Sequence, residues 1–125
     1  MIERYTRKEI KSIWEDYNRY SIWLNIELAA AEAMEKLKII PKGVVKKVRS
    51  KAKINPKRIL QIESKVKHDI IAFLTSITEK AGKEARYLHK GMTSSDVLDT
   101  CFNLQLKQSG EVLLKDINEL SLIHI

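Results

Sequence analysis

Apolar residues recur at Ile10, Ile13, Trp14, Tyr17, Trp23, Ile26, Ala30, Ala33, Met34 and Leu37, mostly in steps of three and four. Side chains spaced this way share one face of an α-helix, whereas a strand would alternate every second residue. The segment reads as one long helix or two nearly continuous ones, with Thr6 and Glu9 spaced as a capping box at its start. "IIPKG" interrupts it at Pro41 and Gly43, and Val44, Val45 and Val48 then mark a short basic helix ending near Lys53. Asn55 and Pro56 suit the cap and first position of a further helix. Its stripe is Ile59, Ile62 and Val66, followed after a break or bend by Ile70, Leu74 and Ile77, and it stops at Gly82. From Ser94 or Ser95 the helical period resumes through Val97, Cys101, Leu104, Leu113, Ile117 and Leu120.

That last helix has no stop signal. It runs for roughly 27 to 30 residues into "ELSLIHI", against a mean of about 11 to 12 in compact domains. The chain therefore looks cut short, and "SLIHI" fits poorly as a continuation of the amphipathic pattern. With 125 residues, 44% apolar, 6% aromatic, 2 prolines and 4 glycines, the core is one of Leu, Ile, Val and Ala. The expected fold class is all-α, without internal repeats or a dividing linker.

The formal net charge of +7 and a pI near 9.5 point to an anionic partner, either nucleic acid or a phosphorylated or polycarboxylate small molecule. Between Lys36 and Lys67 the basic residues alternate with apolar ones on helical faces, and no aromatic interleaves with them as a base-stacking surface requires. This favours a solvated face, so no nucleic acid is expected. The single cysteine, Cys101, excludes an intrachain disulfide, and it lies on the apolar stripe four residues after Val97, where packing rather than reactivity is expected. "MIERYTRKEI" has no apolar signal core, and no apolar run approaches the about 18 residues of a membrane span. A cytoplasmic chain without a membrane partner is expected.

Two stretches carry polar chemistry. In "LHKGMTSSDVLDT", Thr93, Ser94, Ser95 and Asp96 crowd a helix start, where unpaired N–H groups and a positive partial charge suit a carboxylate or phosphate. Hydroxyls there also serve as ordinary caps, and Asp96 can supply the anion itself. In "VKHDIIAF", Lys67, His68 and Asp69 break the apolar stripe between Val66 and Ile70. A histidine beside a carboxylate can be held in one tautomer as acid, base or donor, although neighbouring residues need not point the same way. His68, His89 and His124 lack metal-ligand spacing, and no Gly-rich phosphate loop occurs, so neither metal nor cofactor is implied.

Together, "MIERYTRKEIKSIW", "NRYSIWLNIELAAAEA", "IPK", "KHDIIAF" and "HKGMTSSDVLDT", in that order, resemble the N-terminal portion of the adenylosuccinate lyases, in the fumarase and aspartase superfamily. The resemblance reaches to about Leu120. It implies a carbon–nitrogen lyase that eliminates fumarate from adenylosuccinate, giving AMP, and from the succinyl-carboxamide ribonucleotide of purine biosynthesis. It also implies a homotetramer with each site built from three subunits, and substrates bearing a phosphate and two carboxylates. By the same resemblance Arg4 and Tyr5 contact the phosphate, Lys67, His68 and Asp69 line the site, and His68 orients the substrate or assists proton transfer. Thr93 and Ser94 bind the succinyl carboxylates, Ser95 and Asp96 cap and brace their turn, and His89 either approaches the phosphate or packs the loop.

The family's second and third catalytic regions, with its general acid and general base, have no counterpart in these residues. The resemblance thus divides the chain into an N-terminal helical domain, 1–93, and a truncated first long helix of the central bundle, 94–125. It implies no catalysis by the chain alone, and His124 takes no role. Two other readings compete: another superfamily lyase such as one acting on argininosuccinate, and a non-enzymatic basic helical module, which salt-dependent DNA binding would reveal.

Overall fold

The computed structural model describes residues 2–124, with Glu3 described by its backbone alone. Met1 and Ile125, the outer ends of the two expected segments, lie outside the described residues. The α-helices are α1 (Lys8–Trp14), α2 (Asp16–Lys36), α3 (Val44–Lys51), α4 (Pro56–Val66), α5 (Asp69–Ala81) and α6 (Ser94–His124). Turns of 3-10 helix occupy Glu3–Tyr5 and Gly82–Tyr87, and there is no strand among the described residues. The chain is all-α.

The first periodic segment is two helices, separated by Glu15 in an extended conformation (φ −73°, ψ 149°). The expected capping box does not form. Arg7 is the N-cap residue of α1 and makes no side-chain cap, while the Thr6 hydroxyl turns back and donates to the Ile2 carbonyl at 2.7 Å. With the helix starting at Lys8, Glu9 falls one residue short of the position a capping box requires. The break also resets the helical phase. In α2 the buried residues are Tyr20, Ile22, Trp23, Glu27, Leu28 and Ala31, whereas Trp14, Tyr17, Ala33 and Leu37 of the expected stripe are exposed.

The core forms where α2 meets α5. Tyr20, Trp23 and Phe73 interlock, with ring centroids 5.2 to 6.0 Å apart, and Ile59, Ile70, Ile77 and Val48 close around them. Truncating a buried phenylalanine in such a cluster costs about 3 to 5 kcal/mol. The helix α3 ends at Lys51, two residues before the expected Lys53, because Ala52 is extended. Its start is held by Glu35, whose carboxylate accepts the Val45 N–H at 2.6 Å. Asn55 caps α4 as its sequence suggests, accepting from the Arg58 N–H at 3.1 Å with Pro56 opening the helix. Arg58 then reaches α5 as a fork, its Nε and Nη2 donating to the two Glu79 oxygens at 3.0 and 2.6 Å.

The long α6 lies antiparallel to α1 and α2. Val97 and Cys101 are buried as expected, but Gln105 rather than Leu104 takes the next inner position, because its Nε2 donates to the Ile13 carbonyl at 2.8 Å. Further rungs join Gln108 to Asn18 at 3.2 Å and Ser109 to the Trp14 indole at 3.0 Å, and Asp116 pairs with Arg7. Leu113, Ile117 and Leu120 are exposed. "SLIHI" departs from expectation by continuing the helix as far as His124, whose Nδ1 lies 2.8 Å from the Leu120 carbonyl.

Candidate active site

His89 stands in the turn between the 3-10 segment and α6, with a left-handed backbone (φ 59°) that L-residues rarely adopt. The strained turn is tied to α2 by one side chain. Glu27, only 1% exposed, accepts the His89 backbone N–H through Oε2 at 2.6 Å and faces the ring Nδ1 through Oε1 at 2.7 Å. Buried carboxylates require such partners, and here both oxygens have one. Glu27 is absent from the sequence-based candidates. Its signal was a carboxylate four residues from both Trp23 and Ala31, on the buried stripe itself.

After His89, Gly91 (φ 72°) turns the chain into Met92 and the start of α6. The cap of that helix comes from Asp96, whose Oδ2 accepts the Thr93 N–H at 2.8 Å while its own N–H donates to the Thr93 carbonyl at 3.1 Å. This is the carboxylate half of a capping box. The hydroxyls of Thr93, Ser94 and Ser95 make no hydrogen bond among the described residues; Thr93 and Ser95 are exposed and Ser94 is half-buried. Asp96 therefore braces the turn as expected, while Ser95 contributes no cap.

Lys67 ends α4 in a left-handed conformation (φ 55°), and His68 immediately starts α5 as its N-cap residue. The His68 Nδ1 lies 3.5 Å from the Ile71 N–H and 3.4 Å from Asp69 Oδ1. The nearer commitment of Asp69 is to the helix, because Oδ1 accepts the Ile70 N–H at 2.7 Å. Lys67 and His68 are exposed and Asp69 is half-buried. The reversal at Lys67 and His68 thus presents a cation and an imidazole at the start of a helix, an end that favours anions.

Arg4 and Tyr5 lie in the first 3-10 turn, both exposed, with the guanidinium 4.7 Å from the Tyr5 ring centroid. The contacts of each group are local or, for His89, made to Glu27. No hydrogen bond or ion pair links Arg4 or Tyr5, Lys67 to Asp69, His89, and Thr93 or Ser94 to one another among the described residues. Lys67 borders a groove of about 410 Å³ with Leu60, Glu63 and Ser64. A groove of about 440 Å³ runs between Ile71, Leu74 and Thr78 of α5 and Arg86 and Leu88 just before His89. No group of three or more His, Cys, Asp or Glu side chains that could hold a metal ion occurs among the described residues. No helix there is long and apolar enough to cross a membrane.

No protein-family model matches the chain. A fumarate lyase from Mesorhizobium sp. BNC1, solved by crystallography, superposes with a TM-score of 0.79 over 87% of this chain and 26% of its own, at 22% identity, which shows the shared helical fold. The adenylosuccinate lyase of Synechocystis sp. is 47% identical over 120 residues. That match takes in 96% of this chain, which spans 28% of the length of that curated relative. At such identity along nearly its whole length, the chain is a homologue of adenylosuccinate lyase and corresponds to a part of it.

Proposed function

We propose that this chain supplies the opening portion of an adenylosuccinate lyase site, a carbon–nitrogen lyase that releases fumarate from adenylosuccinate and from the succinyl-carboxamide ribonucleotide. The supporting observation, beside the relationship to the Synechocystis enzyme, is the division of labour at the start of α6. Asp96 does the capping, and the hydroxyls of Thr93 and Ser94 remain unspent beside unpaired helix N–H groups. A cap built from Thr93 or Ser94 would have consumed them.

In this reading Thr93 and Ser94 hold a succinyl carboxylate. Negative charge grows on that carboxylate when the neighbouring carbon loses its proton, so hydrogen bonds there strengthen toward the transition state. His68 lies at the start of α5, with Lys67 beside it, to orient the substrate or assist a proton transfer. Arg4 and Tyr5 bind the phosphate, for which a guanidinium fork is suited. The division of the chain falls between residues 93 and 94, where the turn gives way to the long helix. The principal acid and base belong to regions outside the matched segment, and the site is completed in a homotetramer. A basic chain of net charge +7 suits a substrate carrying a phosphate and two carboxylates.

The test is a chimaera in which this chain replaces the matching segment of the Synechocystis enzyme. Fumarate release followed by absorbance is expected from the chimaera and absent from the isolated chain. Ser94→Ala and Thr93→Val in the chimaera should each lower kcat/KM about ten- to a hundred-fold, the worth of one charge-assisted hydrogen bond. Unchanged kinetics in both variants would remove the carboxylate assignment.

A further inference from the structure

The carboxylate of Glu27 and the ring of His89 differ sharply in exposure. The Glu27 side chain is fully buried, while 22% of the His89 side chain remains accessible. The Nδ1 of the ring is turned inward onto Oε1, and Nε2 makes no hydrogen bond among the described residues. The two imidazole nitrogens point in roughly opposite directions, so a ring anchored through Nδ1 presents Nε2 on its outward edge. The second carboxylate oxygen simultaneously holds the His89 N–H at 2.6 Å, which keeps the backbone left-handed and the ring from swinging away.

We propose that Glu27 is a positioning residue of the site: it holds the Nδ1 proton of His89 and thereby dedicates Nε2 to a ligand. A carboxylate has no proton to give, so its partner at Nδ1 must be a donor. In the neutral ring this leaves a lone pair on Nε2. In the imidazolium both nitrogens carry protons, and Nε2–H donates to an anion while the buried carboxylate balances the charge. Glu27 fixes the tautomer in the same manner as the carboxylates that orient histidines in catalytic triads and behind metal ions. The functional part of the inference rests on His89 being a site residue; the tautomer assignment does not.

Long-range proton–nitrogen NMR correlations of the 15N-labelled chain at about pH 8, above the ordinary histidine range, read the tautomer directly. The expected result is a proton on Nδ1 of His89 and none on Nε2. In Glu27→Gln the single amide oxygen takes the backbone N–H and the NH2 group faces Nδ1, so the ring proton should move to Nε2 with the helical amide pattern intact. A wild-type ring protonated on Nε2 and bare on Nδ1, or a Glu27→Gln ring still protonated on Nδ1, overturns the proposal. The wild-type measurement decides the matter even if the variant does not fold. Titration with inorganic phosphate at about pH 5.5, below the ordinary histidine range, then probes the ligand through the imidazolium: a response centred on Nε2 supports phosphate recognition. Silence at Nε2 with the proton in place on Nδ1 upholds the role of Glu27 and removes the phosphate assignment of His89.

Discussion

Glu27 on α2 and His89 before α6, 62 residues apart in the chain, are joined by two short hydrogen bonds of 2.6 and 2.7 Å to the two oxygens of one carboxylate. The bonds fix the approach to α6 against the middle of α2. Replacing Glu27 by Ala leaves a backbone N–H and a ring nitrogen without partners. Stability should fall by about 1 to 3 kcal/mol, read as a lower urea midpoint.

Lys67 tests the cost of the reversal between α4 and α5. Its left-handed backbone (φ 55°) is strained for any side chain and relaxed for glycine. Lys67→Gly should raise stability by up to about 1 kcal/mol, since the side chain is exposed and the conformation common at helix ends. In the chimaera the same change should weaken activity through loss of the ammonium group. A variant that melts earlier would show that the lysine side chain itself holds the turn.

At the start of α6, Asp96→Ala should cost about 1 kcal/mol, the worth of a helix cap. Thr93→Val and Ser94→Ala should change the melting temperature little, because neither hydroxyl is engaged in the fold. Thermal scans of the three variants decide this before any kinetics. Equal losses in all three would return the hydroxyls to capping.

Burial raises the Cys101 thiol above its ordinary pKa, leaving less thiolate to react. Alkylation by iodoacetamide near neutral pH should be at least about tenfold slower in the folded chain than in urea. Mass spectrometry after timed quenching measures it, and equal rates in both states would show that α6 swings away from α2.

Leu106, Leu113, Leu114, Ile117 and Leu120 lie open along α6. Apolar surface of that extent drives association in water. Light scattering should find oligomers at high concentration, and Leu113→Glu with Ile117→Glu should return the chain to monomer. A wild-type monomer at all concentrations would count against this.

The parts of the fold that could be read from sequence are those set by neighbouring residues. Asn55 and Pro56 announce the start of α4 because a cap and a fixed proline φ act within one turn. Val97 and Cys101 declare the inner face of α6 for a similar reason. The phase of α2 was not legible, because it depends on one extended residue, Glu15, that composition does not mark. Gln105 displaces Leu104 inward only because the Ile13 carbonyl, far away in the chain, is there to receive it. At the candidate site, His68, Thr93 and Ser94 stand out as polar residues in an apolar pattern. Asp96 as the cap follows the Thr93-x-x-Asp96 spacing of a capping box, but that spacing does not say that the Thr93 hydroxyl leaves its own half unmade. Glu27 belongs to no motif and so does not stand out, although its spacing from Trp23 and Ala31 placed it on the inward face.

The rungs that join α6 to the first two helices also act as a gauge of position. A seam of interchangeable leucines tolerates sliding by a turn, about 5.4 Å, with one set of methyl contacts exchanged for another. Gln105 on the Ile13 carbonyl, Asn18 on Gln108, Trp14 on Ser109 and Arg7 on Asp116 would all have to part together before α6 could slide. The height of α6 is thereby indexed to α1 and α2, and the hydroxyls at its start are delivered to the same level of the molecule in every copy of the fold.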